Sequence, residues 1–318
     1  MTASHPAPLN PTPLNPTPLN IAPLNIAQLN IGKLVAPIGD PRVVEFVDAL
    51  DSINALGESS PGFVWRLKDE AGNATSIRAF DDHDIIPNLT VWTSVAELKA
   101  FAYRSEHVSF FKRRAEWFTP GDSATVLWWT RSGELPTMAE ARRRVEFLAA
   151  NGPSPYAFGF GSVAKPLVFH RAAIEDAAAL GLIGELNIEL RDRYPEPGAN
   201  HFTLTADDVA PGAGALFVGT YDGEPVTSGA IRMIDAATAE VKRMYVRPAA
   251  RGLKLGAAML DRLHTEAASI GAKRMVLETG IRQPEADVVY RRAGYHVVPC
   301  WGEYLNSPAT SVCMARDL

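Results

Sequence analysis

The run from Val241 to Gly256, VKRMYVRPAARGLKLG, constrains the fold of this chain most. An alternating apolar strand passes directly into a basic loop holding Gly252 and Gly256, and Ala257 to Ile270 follows with apolar residues at helical spacing. Such a segment puts a helix N-terminus at the end of a strand. Unpartnered N–H groups and the positive end of the helix dipole there favour an anion. Lys242, Arg243, Arg247, Arg251 and Lys254 crowd the same stretch, although the net charge of the chain is −5. An acidic chain with one local basic cluster argues against non-specific nucleic-acid binding and for a small polyanion.

With 318 residues, the chain is long enough for two domains. It opens on a short repeat: PTPLN twice, then IAPLN, then IAQLN. The period is too short for a solenoid unit, and its prolines favour extended, solvated chain. Residues 1–24 are therefore expected to form a disordered extension. The last copy differs: Ala27, Leu29 and Ile31 share one face of a strand, with Gln28 and Asn30 on the other. Asp40-Pro41 starts a helix, and Ser94 with Glu97 forms a capping box for a second. Strands are expected at Phe63 to Leu67, Ile85 to Thr93 and Ala124 to Thr130, and a basic helix at Met138 to Ala150. This order is that of a ferredoxin-like α+β sandwich over residues 25–162. A linker rich in Gly and Pro follows from Asn151 to about Phe169, with the hinge near Gly161 to Pro166.

Residues 163–318 are expected to form a mixed β/α domain. Ala172 to Tyr194 is helical, with Leu180, Ile183, Leu186 and Leu190 as its apolar stripe. Asp222-Gly223 marks a hairpin, and Glu240 to Val246 is the strand leading into the basic loop. The loop Arg251, Gly252, Leu253, Lys254, Leu255, Gly256 resembles the Q/R-x-x-G-x-G/A signature of the GNAT superfamily of acyl-CoA-dependent N-acetyltransferases. Lys254 replaces the middle glycine. Downstream, Gln283, Ala286, Tyr290 and Gly294-Tyr295 resemble a second family element, with Gln283 where Asn is common.

The resemblance implies an N-acetyltransferase that uses acetyl-CoA as acyl donor, without a metal, and moves the acetyl group to a primary amine by direct attack. It implies that Met244, Tyr245 and Val246 bind the pantetheine arm. Arg251, Gly252, Leu253, Lys254, Leu255, Gly256 and Ala257 would hold the pyrophosphate. Gln283 would bind the arm or orient Tyr290. Tyr290 would protonate the departing thiolate, and Glu240 would serve as base or hold the water that does. Lys254 is expected at negative φ, adding a cation to a phosphate, because Gly252 and Gly256 remain to absorb the tight geometry. Arg232 and the Arg191–Arg193 pair could meet an acceptor carboxylate or simply be solvated.

The first domain resembles an uncharacterised family of the dimeric α/β-barrel superfamily. The matching residues are Ala27 to Asn30, Pro61 to Trp65, Asn88 to Trp92, His107, Glu116 to Phe118, Trp128-Trp129 and Gly152 to Ser154 with Ala157-Phe158. An apolar open sheet face would pair with a second copy, giving a homodimer, unless the C-terminal half covers it. His107 beside Trp92, Arg114 and Trp117 could relay a proton; a packed helix-start histidine is the plainer reading. Cys300 and Cys313 are expected as buried free thiols. The chain lacks an apolar run of membrane-spanning length and a signal-peptide pattern, so a cytoplasmic protein is expected. An acyl-CoA-binding sensor without turnover, or an oxygenase-like N-terminal half, are the alternative functions.

Overall fold

The computed structural model describes residues 23–70, 72–104, 112–201 and 203–318. The repeat extension up to residue 22 and His107 lie outside them. Leu24, expected at the end of that extension, already belongs to a strand.

The N-terminal domain is built from β1 (Leu24–Leu34), α1 (Val44–Glu58), β2 (Phe63–Arg66), β3 (Ile85–Trp92), α2 (Val95–Arg104), β4 (Phe118–Arg131) and α3 (Met138–Asn151). Its four strands run antiparallel in the order β2-β3-β1-β4, the ferredoxin-like order. Local chemistry sets the helix starts as the sequence suggests. Asp40 accepts from the N–H of Arg42 at 2.9 Å, and Ser94 Oγ accepts from the N–H of Glu97 at 3.1 Å.

The alternation in β1 sorts the sheet into two faces. Ala27 and Leu29 join Leu89, Val91, Val126 and Trp128 on one. Ile26, Trp92 and Leu127 pack with Leu98 of α2 and with Phe158 on the other. Trp92, Trp117 and Trp128 are buried structural residues. The first face is not open. Ala141 and Phe147 of α3 cover part of it, and Val226, Ala250, Leu255 and Ala258 of the C-terminal domain cover more. The apolar surface expected to drive self-pairing is thus filled within the chain.

The connecting segment is more ordered than its Gly and Pro content suggests. Leu127 and Phe158 exchange both backbone hydrogen bonds, at 2.8 and 3.0 Å, and Trp129 donates to the carbonyl of Ala164 at 2.8 Å.

The C-terminal domain comprises β5 (Leu167–Ala172), α4 (Ala177–Arg193), β6 (Gly214–Tyr221), β7 (Glu224–Met233), β8 (Thr238–Val246), α5 (Leu255–Ser269), β9 (Arg274–Gly280), α6 (Pro284–Arg292), β10 (His296–Val297) and β11 (Ser311–Asp317). Its sheet runs β10-β11-β9-β8-β7-β6-β5. Helix α4 packs on one face through Ala179, Leu182 and Leu186, and α5 on the other through Met259, Leu260 and Leu263. The turn at Asp222 and Gly223 has φ of 54° and 88°, the left-handed pair a tight hairpin needs.

Three expectations are corrected here. The stripe of α4 runs through Leu182 (0% exposed) and not Leu180 (53%), because Asp176 caps the helix and sets its rotation against the sheet. Residues 172–176 lead into that helix from an edge strand and its connecting turn. Cys300 and Cys313 are joined in a disulfide, their Cα atoms 5.1 Å apart, since β11 returns beside the segment after β10.

Candidate active site

The site begins with a break in the sheet. Ser228 pairs with Tyr245 and Ala230 with Lys242, so Arg243 and Met244 together oppose Gly229. This is a β-bulge, and Arg243 takes φ of 55° within it. Gly229 has no room for a side chain: a Cβ there would lie 2.7 Å from Met259. On its other edge β8 pairs in parallel with β9 from Thr238–Arg274 to Val241–Leu277. Beyond that pair the two strands part, which turns the backbone edge of Met244 to Val246 toward a slot. Gly280 ends β9 against Tyr194, whose hydroxyl oxygen accepts from the N–H of Arg282 at 2.6 Å.

Two clefts meet at this slot. One is lined by Leu186, Asn200, Lys242, Glu278, Tyr290 and Tyr304, among others, on the α4 side. The second, about 530 Å³, runs along the starts of α5 and α6. Met244, Gln283 and Tyr290 line both. Residues of the loop from Arg251 to Ala257 border the larger cleft.

Tyr290 sits at the junction, 7% exposed on the inner face of α6. Gly294 follows that helix at φ of 87°, the left-handed C′ position, and lets Tyr295 fold back to within 5.9 Å of Tyr290, ring to ring. Burial, then the nearby Glu278 charge, pushes the Tyr290 phenol well above its ordinary value. It therefore carries its proton at neutral pH. Gln283 precedes α6 and accepts from the N–H of Gly280 through Oε1 at 3.0 Å, pinning the β9–α6 turn.

Glu240 sits elsewhere than its expected role requires. It is 0% exposed and lines neither cleft. Oε2 accepts from Arg232 Nε at 2.7 Å, Oε1 accepts from the Tyr304 hydroxyl at 2.5 Å, and Lys242 Nζ lies 3.8 Å away. Both oxygens are occupied, and Arg232 with them. Sequence reasoning passed over Glu278, the carboxylate that lines the smaller cleft on the α4 side. Its signal was a single acid inside the buried strand Arg274–Gly280. Burial lifts Glu278 above the ordinary carboxylate value, opposed by a hydrogen bond from Ser311 and by Lys242.

The loop differs from expectation at one residue. Lys254 has φ of 63° and ψ of 21°, the left-handed conformation that the family's glycine would adopt. Its ammonium is turned away from the loop amides. Nζ donates to the carbonyl of Pro153 at 3.0 Å and to that of Asn151, both at the C-terminal end of α3. Gly152 makes room, since a Cβ there would lie 3.2 Å from Nζ. Arg251 donates to Glu189 at 2.7 Å and to the carbonyl of Val246 at 3.1 Å. Glu189 and Arg251 are both within reach of solvent, so an arriving phosphate can compete for the guanidinium.

A family model described as "Acetyltransferase (GNAT) family" matches residues 183–295, and one described as "Domain of unknown function (DUF3291)" matches residues 25–171. A protein named "IAA acetyltransferase" from Azospirillum brasilense is 35% identical over 146 residues, which is 44% of this chain and 91% of that protein. The chain belongs to the GNAT family of acetyltransferases. It is an acyltransferase, and the GNAT half carries the splayed strands, the Arg251 loop and Tyr290. Solved structures similar to it include an acetyltransferase from Streptococcus agalactiae (16% identity, TM-score 0.40, covering 48% of this chain and 98% of that one). Another is a GNAT family acetyltransferase from Elizabethkingia anophelis with acetyl-CoA bound (15% identity, TM-score 0.36, covering 48% and 98%). Among the described residues, no group of three or more His, Cys, Asp or Glu is placed to hold a metal ion. No helix of the described residues is long and apolar enough to cross a membrane.

Proposed function

We propose that the GNAT domain transfers an acetyl group from acetyl-CoA to the primary amine of a small acceptor, in the cytoplasm, by direct attack. The supporting observation is the meeting of the two clefts at Tyr290 and Met244. The larger cleft takes the donor. Its pyrophosphate lies on the amides of residues 252–257, where the helix dipole and Arg251 favour it. The pantetheine arm runs along the exposed edge of Met244 to Val246, and a backbone N–H of that edge polarises the thioester carbonyl. The acceptor enters beside α4 and brings its amine next to Glu278.

Glu278 takes the role expected of Glu240. It accepts the proton the amine loses, directly or through one water, as nitrogen bonds to the carbonyl carbon. The tetrahedral intermediate then collapses, the carbon–sulfur bond breaks with its electron pair on sulfur, and Tyr290 donates its proton to the thiolate. Products are the amide and CoA, and the proton on Glu278 restores Tyr290, directly or by exchange through solvent. A carboxylate lifted by burial is better matched to an amine at neutral pH than a fully ion-paired one. The IAA acetyltransferase name of the Azospirillum relative supports acetyl transfer.

The test uses two variants and an amine panel with thiol release as readout. Tyr290→Phe should lower kcat by roughly 10²–10⁴-fold with little change in acetyl-CoA affinity, because only a transition-state interaction is lost. Glu278→Gln should lower kcat/KM and remove the acidic limb of its pH profile. If both variants keep wild-type kcat with chemistry rate-limiting, these assignments are wrong.

A further inference from the structure

The larger cleft is not made by the GNAT domain alone. Arg143, Glu146, Phe147, Ala150 and Asn151 of α3, a helix of the N-terminal domain, form its outer wall opposite α5. We propose that the N-terminal domain completes the donor site, with α3 closing over the adenosine end of CoA and Arg143 taking its 3′-phosphate. This rests on the reading of the larger cleft as the acyl-CoA site.

Three observations carry it. First, the wall is fixed. Lys254 of the phosphate loop donates to the carbonyls of Asn151 and Pro153, and the Tyr156 hydroxyl donates to Asp261 of α5. The apolar cluster under these contacts contains both Phe147 of α3 and Ala258 of α5. A wall so attached does not leave when the ligand arrives.

Second, the cleft extends beside α3 far enough to take the nucleoside. With the pyrophosphate at the start of α5 and the thioester arm running to Tyr290, the cleft continues past Leu260, Asp261 and His264 of α5, with α3 on one side and Val288, Arg292 and Arg316 also lining it. Asp261 lies six residues beyond the first residue of α5, roughly 9 Å along the axis at 1.5 Å per residue. That is the span from a pyrophosphate to the far side of its ribose. Phe147 and Ala150 offer apolar surface to the base.

Third, Arg143 holds reserve capacity. Its Nε is shielded from solvent and has no hydrogen-bond partner, and the nearest carboxylate oxygen, on Asp261, is 3.9 Å away. That oxygen already accepts from Tyr156. The neighbouring Arg144 also has an unpartnered Nε, but its terminal nitrogens are committed to Glu140 at 2.8 Å and to the carbonyl of Tyr156 at 2.6 Å. Arg143 lines the cleft, and a guanidinium in that position suits a phosphate.

The experiment is calorimetric titration of the full chain with CoA and with dephospho-CoA, which lacks the 3′-phosphate, beside hydrogen exchange of the wild type. Wild type should prefer CoA by about tenfold or more, the scale of one charge-assisted contact. Arg143→Ala should lose most of that preference while binding dephospho-CoA as wild type does; Arg251→Glu should weaken both ligands alike. CoA should slow exchange of the α3 amides in wild type, a readout that survives misfolding of the variant. Retained preference for CoA in Arg143→Ala, with α3 exchange unaltered by CoA, overturns the proposal and leaves the donor site standing. Absence of binding of either ligand by wild type overturns the acyl-CoA reading itself.

Discussion

Lys254 sets two opposed terms against each other, and replacing it separates them. As a non-glycine residue at φ of 63° it carries a left-handed penalty of about 1–2 kcal/mol. Its ammonium makes two hydrogen bonds to the carbonyls of Asn151 and Pro153. A charged donor contributes roughly 1.5–3 kcal/mol per bond. One ammonium shared by two carbonyls at a half-buried site belongs at the low end, about 2–3 kcal/mol together. Lys254→Gly removes both terms and should cost about 1 kcal/mol. Lys254→Ala loses the bonds but keeps the backbone penalty and should cost about 2–3 kcal/mol. Thermal unfolding reads this as the order wild type, Gly, Ala, with about 2–4 °C per kcal/mol for domains of this size. An Ala variant as stable as the Gly variant would refute the left-handed assignment. A Gly variant as stable as wild type would show that the lysine does not tie the two domains.

Glu240→Gln should act on stability. The amide leaves Arg232 and Lys242 facing a neutral group in a buried site, a loss of about 3 kcal/mol in urea unfolding, while the acidic limb of kcat/KM remains. Loss of that limb with unchanged stability would return the base role to Glu240. His170, His201 and His264 all have their pKa lowered, first by burial, and His264 is pushed from 6.5 down to about 3 beside Arg316. The unfolded chain then binds more protons than the folded one below the ordinary histidine value. Stability should be full above about pH 6.5 and decline as pH falls, by up to about 1.4 kcal/mol per pH unit for each such group. Unfolding free energy that stays flat from pH 7 to 5 would refute it.

Sequence alone determined what is local in this protein. The alternation of Ala27, Leu29 and Ile31, the Ser94 cap, the Asp222-Gly223 turn and the strand–loop–helix at Arg251 each depend on residues a few positions apart. Their backbone preferences act before any tertiary contact, so the pattern was sufficient. Tyr290 was named through the family resemblance of the Gln283 to Tyr295 element, and the structure places it where the two clefts meet. What only tertiary structure decided involves residues far apart in the chain. The separation of β8 from β9 comes from a bulge registered against β7, and it chooses Glu278 over Glu240 as the carboxylate at the cleft. Lys254 reads as a phosphate ligand until α3 is placed beside it, and then two carbonyls a hundred residues upstream claim its ammonium. Cys300 and Cys313 pair because β11 folds back. The sheet face that looked free for a second copy is closed by α3 and α5, since the burial of an apolar face is satisfied by whichever surface the rest of the chain brings to it.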